Sequence, residues 1–401
     1  MSTGRMDPKI GEWSLNEIFS ELEMSLANGR PYVAIPGPSV MPDRVIQAMM
    51  RPAPNIYEGE IQEVTERIVP NLKQVAGTKD HVAIYICNGH GTWEACLTNC
   101  CSRGDRVLVL VTGRFGRVWG EVASRLGIET EVMDFGKSDP ADLDQVRDHL
   151  QKDPSIKAVL VCQTDTATSI RNDVQSLGQI IKDLGHDALL MVDAMASMGC
   201  DRLEMDAWGV DVVIAGSQKG LMTPPGLGFV WFSEKAMAAY EQADMVTPYW
   251  DWGPRANPNL FYEYFYGTAP THHLYGLDVA LDMLLEEGME QVWERHRKLS
   301  EIIWNRVESW GSTHKVQLNV ADRAHRSHSV TALSMPSPKA DQLRHMAEHE
   351  YGVTLGIGLG MAEPGSPEAG GYFRIGHMGH VNAHMVMGVL AVIEDILPKL
   401  N

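Results

Sequence analysis

Positive charge is what this chain has least of: 34 Lys and Arg stand against 52 Asp and Glu in 401 residues, a formal net charge of −18. That balance argues against a nucleic-acid or anionic-membrane surface, because phosphate binding needs an excess of cations. Cysteine is scarce too. The six (Cys87, Cys96, Cys100, Cys101, Cys162 and Cys200) contain no CxxC pair, which suits reduced, buried thiols in a cytosol-like compartment rather than a disulfide framework. No apolar run reaches 18 residues, so no membrane span is expected. The first 30 residues carry acidic charges and lack an uninterrupted apolar core, so no signal peptide is expected and the location reads as cytoplasmic. There is no internal repeat and no low-complexity tract. What remains, 44% hydrophobic and 21% charged residues, is ordinary for a soluble globular protein, with room for one large and one smaller domain.

What is present is alternation of strand and helix. An arm with one short helix over residues 15–27 ends at the breaker Asn28-Gly29, and the rigid stretch Ile35-Pro36-Gly37-Pro38-Ser39 follows. Pro42 opens a helix to residue 50, and the spacing of Ile61, Val64, Ile68, Val69 and Leu72 predicts another over 60–76. Five aliphatic strands are then expected at 82–87, 106–111, 157–162, 189–192 and 210–214. Each leads into a distinctive turn: Asn88-Gly89-His90-Gly91-Thr92, Thr112-Gly113-Arg114-Phe115-Gly116, Gln163-Thr164-Asp165-Thr166, Asp193-Ala194-Met195 and Ser217-Gln218-Lys219. In a doubly wound parallel sheet these turns share one rim, where open α/β sheets bind ligands. Residues 228–232 read as a returning strand. The aromatic, proline-rich stretch 247–270 is too apolar to face only water and is expected to cover a site or a partner subunit. A long helix over 274–295 bridges into a second domain. There a strand is expected at 329–335, a helix at 341–350, a strand at 373–376 and a last helix at 383–397.

The chemistry centres on Lys219, the only charged residue between Val212 and Val230. A lysine set between a core strand and a Pro-Pro-Gly turn either snorkels or is engaged, and burial lowers its pKa as Schiff-base lysines require. Gly89-His90-Gly91 at a helix start offers unpaired N–H groups to a phosphate. Phe115 can stack on a flat ring. Asp193, at the end of an apolar strand, needs a cation: a structural arginine or a protonated ring nitrogen. Thr166 can bind a ring oxygen, and Ser217 or Gln218 a phosphate. Singly, each has an ordinary structural explanation. Together they describe pyridoxal phosphate.

The motifs PGPS (36–39), NGHGT, GRFG, TDT, VDAMASMG, AGSQKGLMTPPG, the late Gly267-Thr268 with Pro270, and FRIGHMG stand in the order found in class V aminotransferases of the pyridoxal phosphate fold-type I superfamily. The chain resembles the alanine/serine–glyoxylate and pyridoxamine–pyruvate aminotransferases over about residues 31–397. The resemblance implies an α/β fold with a mostly parallel seven-stranded sheet in a large domain (31–285), an arm (1–30) and a smaller α+β C-terminal domain (286–401). It implies Lys219 as Schiff-base lysine and proton shuttle, Asp193 at the pyridine nitrogen, and Met195 and Phe115 on the two ring faces. Gly89, His90, Gly91 and Gln218 would hold the phosphate, joined by Thr268 of the neighbouring subunit in a homodimer with shared sites. Thr166 would meet the ring hydroxyl, Arg374 would clamp the substrate carboxylate, and Pro36 and Gly37 would lie beside the substrate.

The activity implied is ping-pong transamination between a small amino acid (alanine or serine type) and a 2-oxo acid such as glyoxylate or pyruvate. A pyridoxamine donor or a dicarboxylic amino acid is the alternative, the latter with Arg114 or Arg255 as second cation. Phe115, Phe265 and Gln163 depart from the family's tryptophan, tyrosine and histidine, which bears on substrate choice. A desulfurase is disfavoured, since 356–371 holds no cysteine. A nucleotide-binding protein lacks a full GxxxxGK[ST] or GxGxxG. A metal at His377 and His380, or at His272 and His273, lacks a third ligand. His325 and His328 read as surface or second-domain structure.

Overall fold

The structure, a computed structural model, describes residues 25–400; the arm helix expected over 15–27 falls outside them except for its last three positions, which form no helix. The chain enters with β1 (Tyr32–Ala34). It then alternates strands and helices through β2 (His81–Tyr85), β3 (Arg106–Val111), β4 (Glu129–Asp134), β5 (Ile156–Cys162), β6 (Leu189–Asp193), β7 (Val212–Gly216) and β8 (Gly228–Phe232). β2 to β8 make a seven-stranded sheet in the order β2-β8-β7-β6-β5-β3-β4. β8 is antiparallel to both neighbours and every other pair is parallel. Six strands therefore point one way and share a carboxyl rim.

The central strands are near-continuous aliphatic runs because both faces are covered. Along β5, Val159 and Val161 enter the core on one face and Ala158 and Leu160 the core on the other. Helices begin where a side chain accepts their orphan N–H groups: Asp142, Asp173, Ser233 and Asn382 each cap the helix that follows. β4 was not anticipated. Its sequence, ETEVMD, is polar and half-exposed because it lies at the sheet edge with β3 as its only partner.

The second sheet joins β9 (Gln317–Leu318), β10 (Val330–Ser334), β11 (Val353–Ile357) and β12 (Tyr372–Gly376) to the start of the chain, in the order β1-β11-β12-β10-β9. β1 pairs with β11 in parallel, Tyr32 opposite Val353 and Ala34 opposite Leu355. The helix expected over 274–295 is two helices, Thr271–Glu287 and Met289–His314. They break at Gly288, whose φ of +84° an L side chain rarely adopts.

A buried charge sits where the sheets meet. Asp201 is fully buried; its Oδ1 accepts the backbone N–H of His328 at 3.0 Å and faces His328 Nδ1 at 3.0 Å. Its Oδ2 accepts Thr164 Oγ1 and Ser327 Oγ, each at 3.2 Å. His328, expected as surface or second-domain structure, lies just before β10 of the second sheet and is drawn inward, for this carboxylate offsets the nearby arginines. Burial pushes the Asp201 carboxyl up, but the His328 charge and hydrogen bonds, with Arg171, outweigh it and hold the group below the usual carboxylate range. Removing one member of such a pair strands the other, at a cost of about 3–5 kcal/mol. Asp201→Asn is expected to lose that much in urea unfolding near neutral pH. Because the folded-state pKa is depressed, the wild-type advantage is present above about pH 4, the unfolded value, and shrinks as pH falls below it. A constant difference between the two proteins from pH 7 down to pH 3 contradicts this.

Candidate active site

Every wall of the site descends from a strand end on the shared rim. A cavity of about 250 Å³, near the lower end of small-molecule sites, opens there. β7 ends at Gly216, and three residues on Lys219 turns into the cavity. Its Nζ donates to the carbonyl of Pro36. Gly37, at φ +99°, lies so close that a Cβ there would sit 2.6 Å from Lys219 Cδ; the PGPS turn admits no side chain at this point. Burial, then the Arg374 charge, pushes the Lys219 ammonium down to about 8, with Asp193 opposing.

Asp193 ends β6 and lines the same cavity. Its Oδ1 accepts the Met195 N–H at 2.7 Å and its Oδ2 the indole N–H of Trp93 at 2.9 Å. Burial pushes this carboxyl up to about 6, while those two donors pull it back. Among the described residues, its hydrogen-bond partners are neutral donors. Trp93 lies one turn into the helix Gly89–Cys100 and was not singled out from sequence, although a tryptophan so close behind Gly89-His90-Gly91 was a usable signal.

That helix starts at the end of β2. Asn88 caps it, accepting the His90 N–H at 3.1 Å, and Asn88, Gly89 and His90 line the cavity. A Cβ on Gly89 would meet Met195 Cε at 2.7 Å, so glycine makes room for the methionine that forms another wall. Gly91 does something else. A Cβ there would lie 2.7 Å from Cys87 Cβ and 2.9 Å from Trp250, so it serves helix packing and not the cavity lining.

Phe115 opens the third side, its ring 6.5 Å from that of Trp93 at 55°. Thr164 and Thr166, after β5, form the fourth. The Thr166 carbonyl accepts Arg374 Nη1 at 2.7 Å, and the Ile357 carbonyl accepts its Nε at 2.7 Å. Arg374 is buried; desolvation pulls it down to about 10, with Asp165 opposing. Among the described residues it donates to carbonyls alone.

Gln218 lines the cavity, its side-chain oxygen buried and without a partner among the described residues. Ser217 is turned away, because its hydroxyl donates to the Pro224 carbonyl at 2.6 Å and accepts the Leu227 N–H. Gln163 also points elsewhere, donating to the Arg202 carbonyl at 2.7 Å beside a separate cavity. Thr268 is exposed and does not reach this cavity. Arg255, considered as a second cation, is committed to the carbonyls of Ile84, Tyr264 and Tyr249 and lies over the rings of Tyr85 and Tyr249. Arg114 is exposed. His272, His273 and His377 bond to Arg51 O, Pro225 O and Thr331 Oγ1 respectively.

The aromatic stretch after Thr247 divides. Trp252 stacks on Phe232 at 4.0 Å and Phe265 is buried, whereas Tyr249, Leu260, Tyr262 and Tyr266 stay exposed. Phe265 is held in the core against Phe261, 5.8 Å away.

The model of the family described as aminotransferase class-V matches residues 32–370. The chain is 34% identical over 379 residues to the serine–glyoxylate aminotransferase of Methylorubrum extorquens, spanning 91% of this chain and 90% of that one. It is 31% identical over 373 residues to the L-aspartate–glyoxylate aminotransferase of Paracoccus denitrificans, spanning 92% and 91%. Its fold is similar to the crystal structure of pyridoxamine–pyruvate aminotransferase from Mesorhizobium loti, with a TM-score of 0.81, 24% identity and 93% of each chain covered. With a lysine and a carboxylate on the walls of one cavity, a buried arginine bonded to a third wall residue, and this likeness over most of its length, the chain belongs to the class-V aminotransferases, enzymes that work with pyridoxal phosphate.

Proposed function

We propose that this aminotransferase moves an amino group from a small amino acid, of alanine or serine type, to glyoxylate or pyruvate. The observation that carries the proposal is a single cavity with Lys219 and Asp193 on its walls and the half-used guanidinium of Arg374 bonded to one of its wall residues, Thr166. The residues fit pyridoxal phosphate. A ring N–H would give Asp193 the cationic partner it lacks, and the first-turn N–H groups at Gly89 suit a phosphate. The uncommitted amide of Gln218 adds a polar group, and Met195, Phe115 and Trp93 offer flat apolar contact. When bound, the cofactor supplies a carbonyl that condenses with amines and a ring that withdraws electrons.

The chain's own residues do the rest. Asp193 would hold a proton on the ring nitrogen. Lys219 would anchor the cofactor and serve as the base at the substrate Cα; a pKa near 8 leaves a useful fraction of neutral amine at physiological pH. Arg374 fixes the substrate carboxylate, and its fork suits two parallel bonds. Pro36 O, bonded to Lys219 Nζ, orients the amine. With Arg255 committed elsewhere, a side-chain carboxylate on the donor would have to rely on Arg114 instead, which favours the smaller donors.

A homodimer is part of the proposal. Ile86, Tyr249, Leu260, Tyr262 and Tyr266 are large exposed apolar groups, and Tyr249 OH donates to the Ile86 carbonyl beside Asn88. A second copy covering them would bring Thr268 to the opposite site and close the exposed side of His90. Tyr266, at φ +51° with an exposed ring 6.5 Å from Tyr249, offers the phenol that buried Phe265 does not.

Purified protein mixed with single amino donors tests the substrate. Alanine or serine with glyoxylate should give turnover, and activity with aspartate or pyridoxamine alone would overturn the small-donor proposal. Lys219→Ala should abolish turnover while the protein still takes up cofactor, read by fluorescence quenching; near-native rates remove Lys219 from its role. Arg374→Ala should raise the KM for the 2-oxo acid on the order of 10- to 100-fold, the loss of a charge-assisted bond worth about 1.5–3 kcal/mol. Because Lys219 titrates near 8, the rate of cofactor uptake by apoprotein should climb with pH and level off above about 8; a rise continuing past pH 10 contradicts the burial of this amine.

A further inference from the structure

Between Phe115 and Thr166 lies a carboxylate that touches neither the cavity nor any cation. Asp165 is fully buried. Its Oδ2 accepts the backbone N–H of Phe115 at 2.8 Å and of Gly116 at 3.2 Å, and its Oδ1 accepts the N–H of Ala167 at 2.9 Å. The first two donors belong to the second and third residues of the helix Arg114–Arg125, the pair that an N-cap side chain ordinarily satisfies. The residue at the N-cap position itself, Gly113, has no side chain to offer. It could not have one while Asp165 stays in place, since a Cβ at 113 would lie 2.6 Å from Asp165 Oδ1. The helix is therefore capped from another strand end. This ties the start of the helix that carries Phe115 to the turn that carries Thr166, whose carbonyl in turn holds Arg374.

We infer that Asp165 is a positioning residue for the transamination: by capping the Phe115 helix from the end of β5, it sets the ring-covering Phe115 and the carboxylate-binding Arg374 in one fixed relation. A local cap at position 113 would stabilise the helix equally well but would leave the 165–167 turn unfastened. The remote cap holds both with one carboxylate, through three N–H bonds of 2.8–3.2 Å. The inference rests on the proposed transaminase reaction, and the experiment below separates the two.

The test compares Asp165→Asn, whose amide turns an N–H toward donors, with the double variant Gly113→Ser plus Asp165→Ala. The double variant gives the helix a cap of its own in the space the carboxylate vacates. Four quantities are read on full-length protein: the apoprotein Tm, amide exchange at Phe115 and Gly116, pyridoxal phosphate affinity by fluorescence quenching, and KM against kcat for glyoxylate. Asp165→Asn should speed exchange at both amides, weaken cofactor binding and raise the KM, each about tenfold or more, with a smaller change in kcat. The double variant should regain the Tm and the amide protection but keep the raised KM. If its KM and cofactor affinity recover along with the Tm, Asp165 is only a helix cap and the inference is overturned. It is equally overturned if Asp165→Asn leaves KM and cofactor affinity within about twofold of wild type. Wild-type protein that takes up no cofactor and turns over no amino acid would instead sink the proposed function, while the exchange data still decide whether Asp165 caps the helix.

Discussion

Charge kept out of water without being cancelled is the constraint on which this site depends. Asp165, Asp193, Lys219 and Arg374 are all largely buried, and burial is the largest influence on each, pushing both carboxyls up and both cations down. Nature's usual remedy, a close ion pair, is absent among them. Each leans on oriented dipoles: N–H groups of Met195 and Trp93 for Asp193, three backbone N–H groups for Asp165, carbonyls of Thr166 and Ile357 for Arg374, and that of Pro36 for Lys219. A dipole steadies a charge without neutralising it, so the charge remains available to a ligand.

The fold makes this affordable. Parallel strands ending on one rim bring the starts of the following helices to the same place, and helix starts present unpaired N–H groups. The residues of the site are spread over more than three hundred positions of sequence, from Pro36 to Arg374, with β1 and β12 in the second sheet. Arg374 reaches Thr166 only because β12 lies next to β10 and β11 in a sheet set against the large one. The fully buried Asp201, shared by Thr164 on one side and Ser327 and His328 on the other, fastens that junction a few residues from the cavity.

Much of this was legible in the sequence, and the failures have a common cause. Aliphatic runs such as 157–162 announce buried parallel strands because no polar residue interrupts them, and Gly89, Phe115, Asp193 and Lys219 sit where such runs stop. β4 was invisible because an edge strand carries no aliphatic run. β1 and β11 were invisible because their pairing joins residues 32 and 353, a distance that no local pattern encodes. The same limit hid Trp93 and Asp165, whose partners lie 100 and 50 positions away. It left His328 undecided between surface and second-domain structure, since the adjacent arginines were visible and Asp201 was not. Gly91 and Ser217 were read as ligand contacts from their place at a helix start and a strand-end turn; which way each faces is set by packing, with the Cβ direction of Gly91 toward Cys87 and Trp250 and the Ser217 hydroxyl spent on Pro224.

Arg255 and Arg374 show how far chemistry alone can mislead and what resolves it. Both are buried guanidinium groups, both are lowered by desolvation, and both donate to backbone carbonyls. They differ in what is left over. Arg255 spends its two terminal nitrogens on three carbonyls and covers two tyrosine rings, pinning the 249–264 segment to the end of β2, while its buried Nε has no partner among the described residues. Arg374 spends Nε and Nη1 on one carbonyl each, and its Nη2 makes no hydrogen bond to a described residue. A buried guanidinium nitrogen with unspent N–H groups suits an anion such as a carboxylate. Residue type placed both arginines on the list of candidate substrate ligands; the structure separates them by place, for Arg374 is bonded to the cavity wall at Thr166 whereas Arg255 is held among Tyr85, Tyr249 and Tyr264.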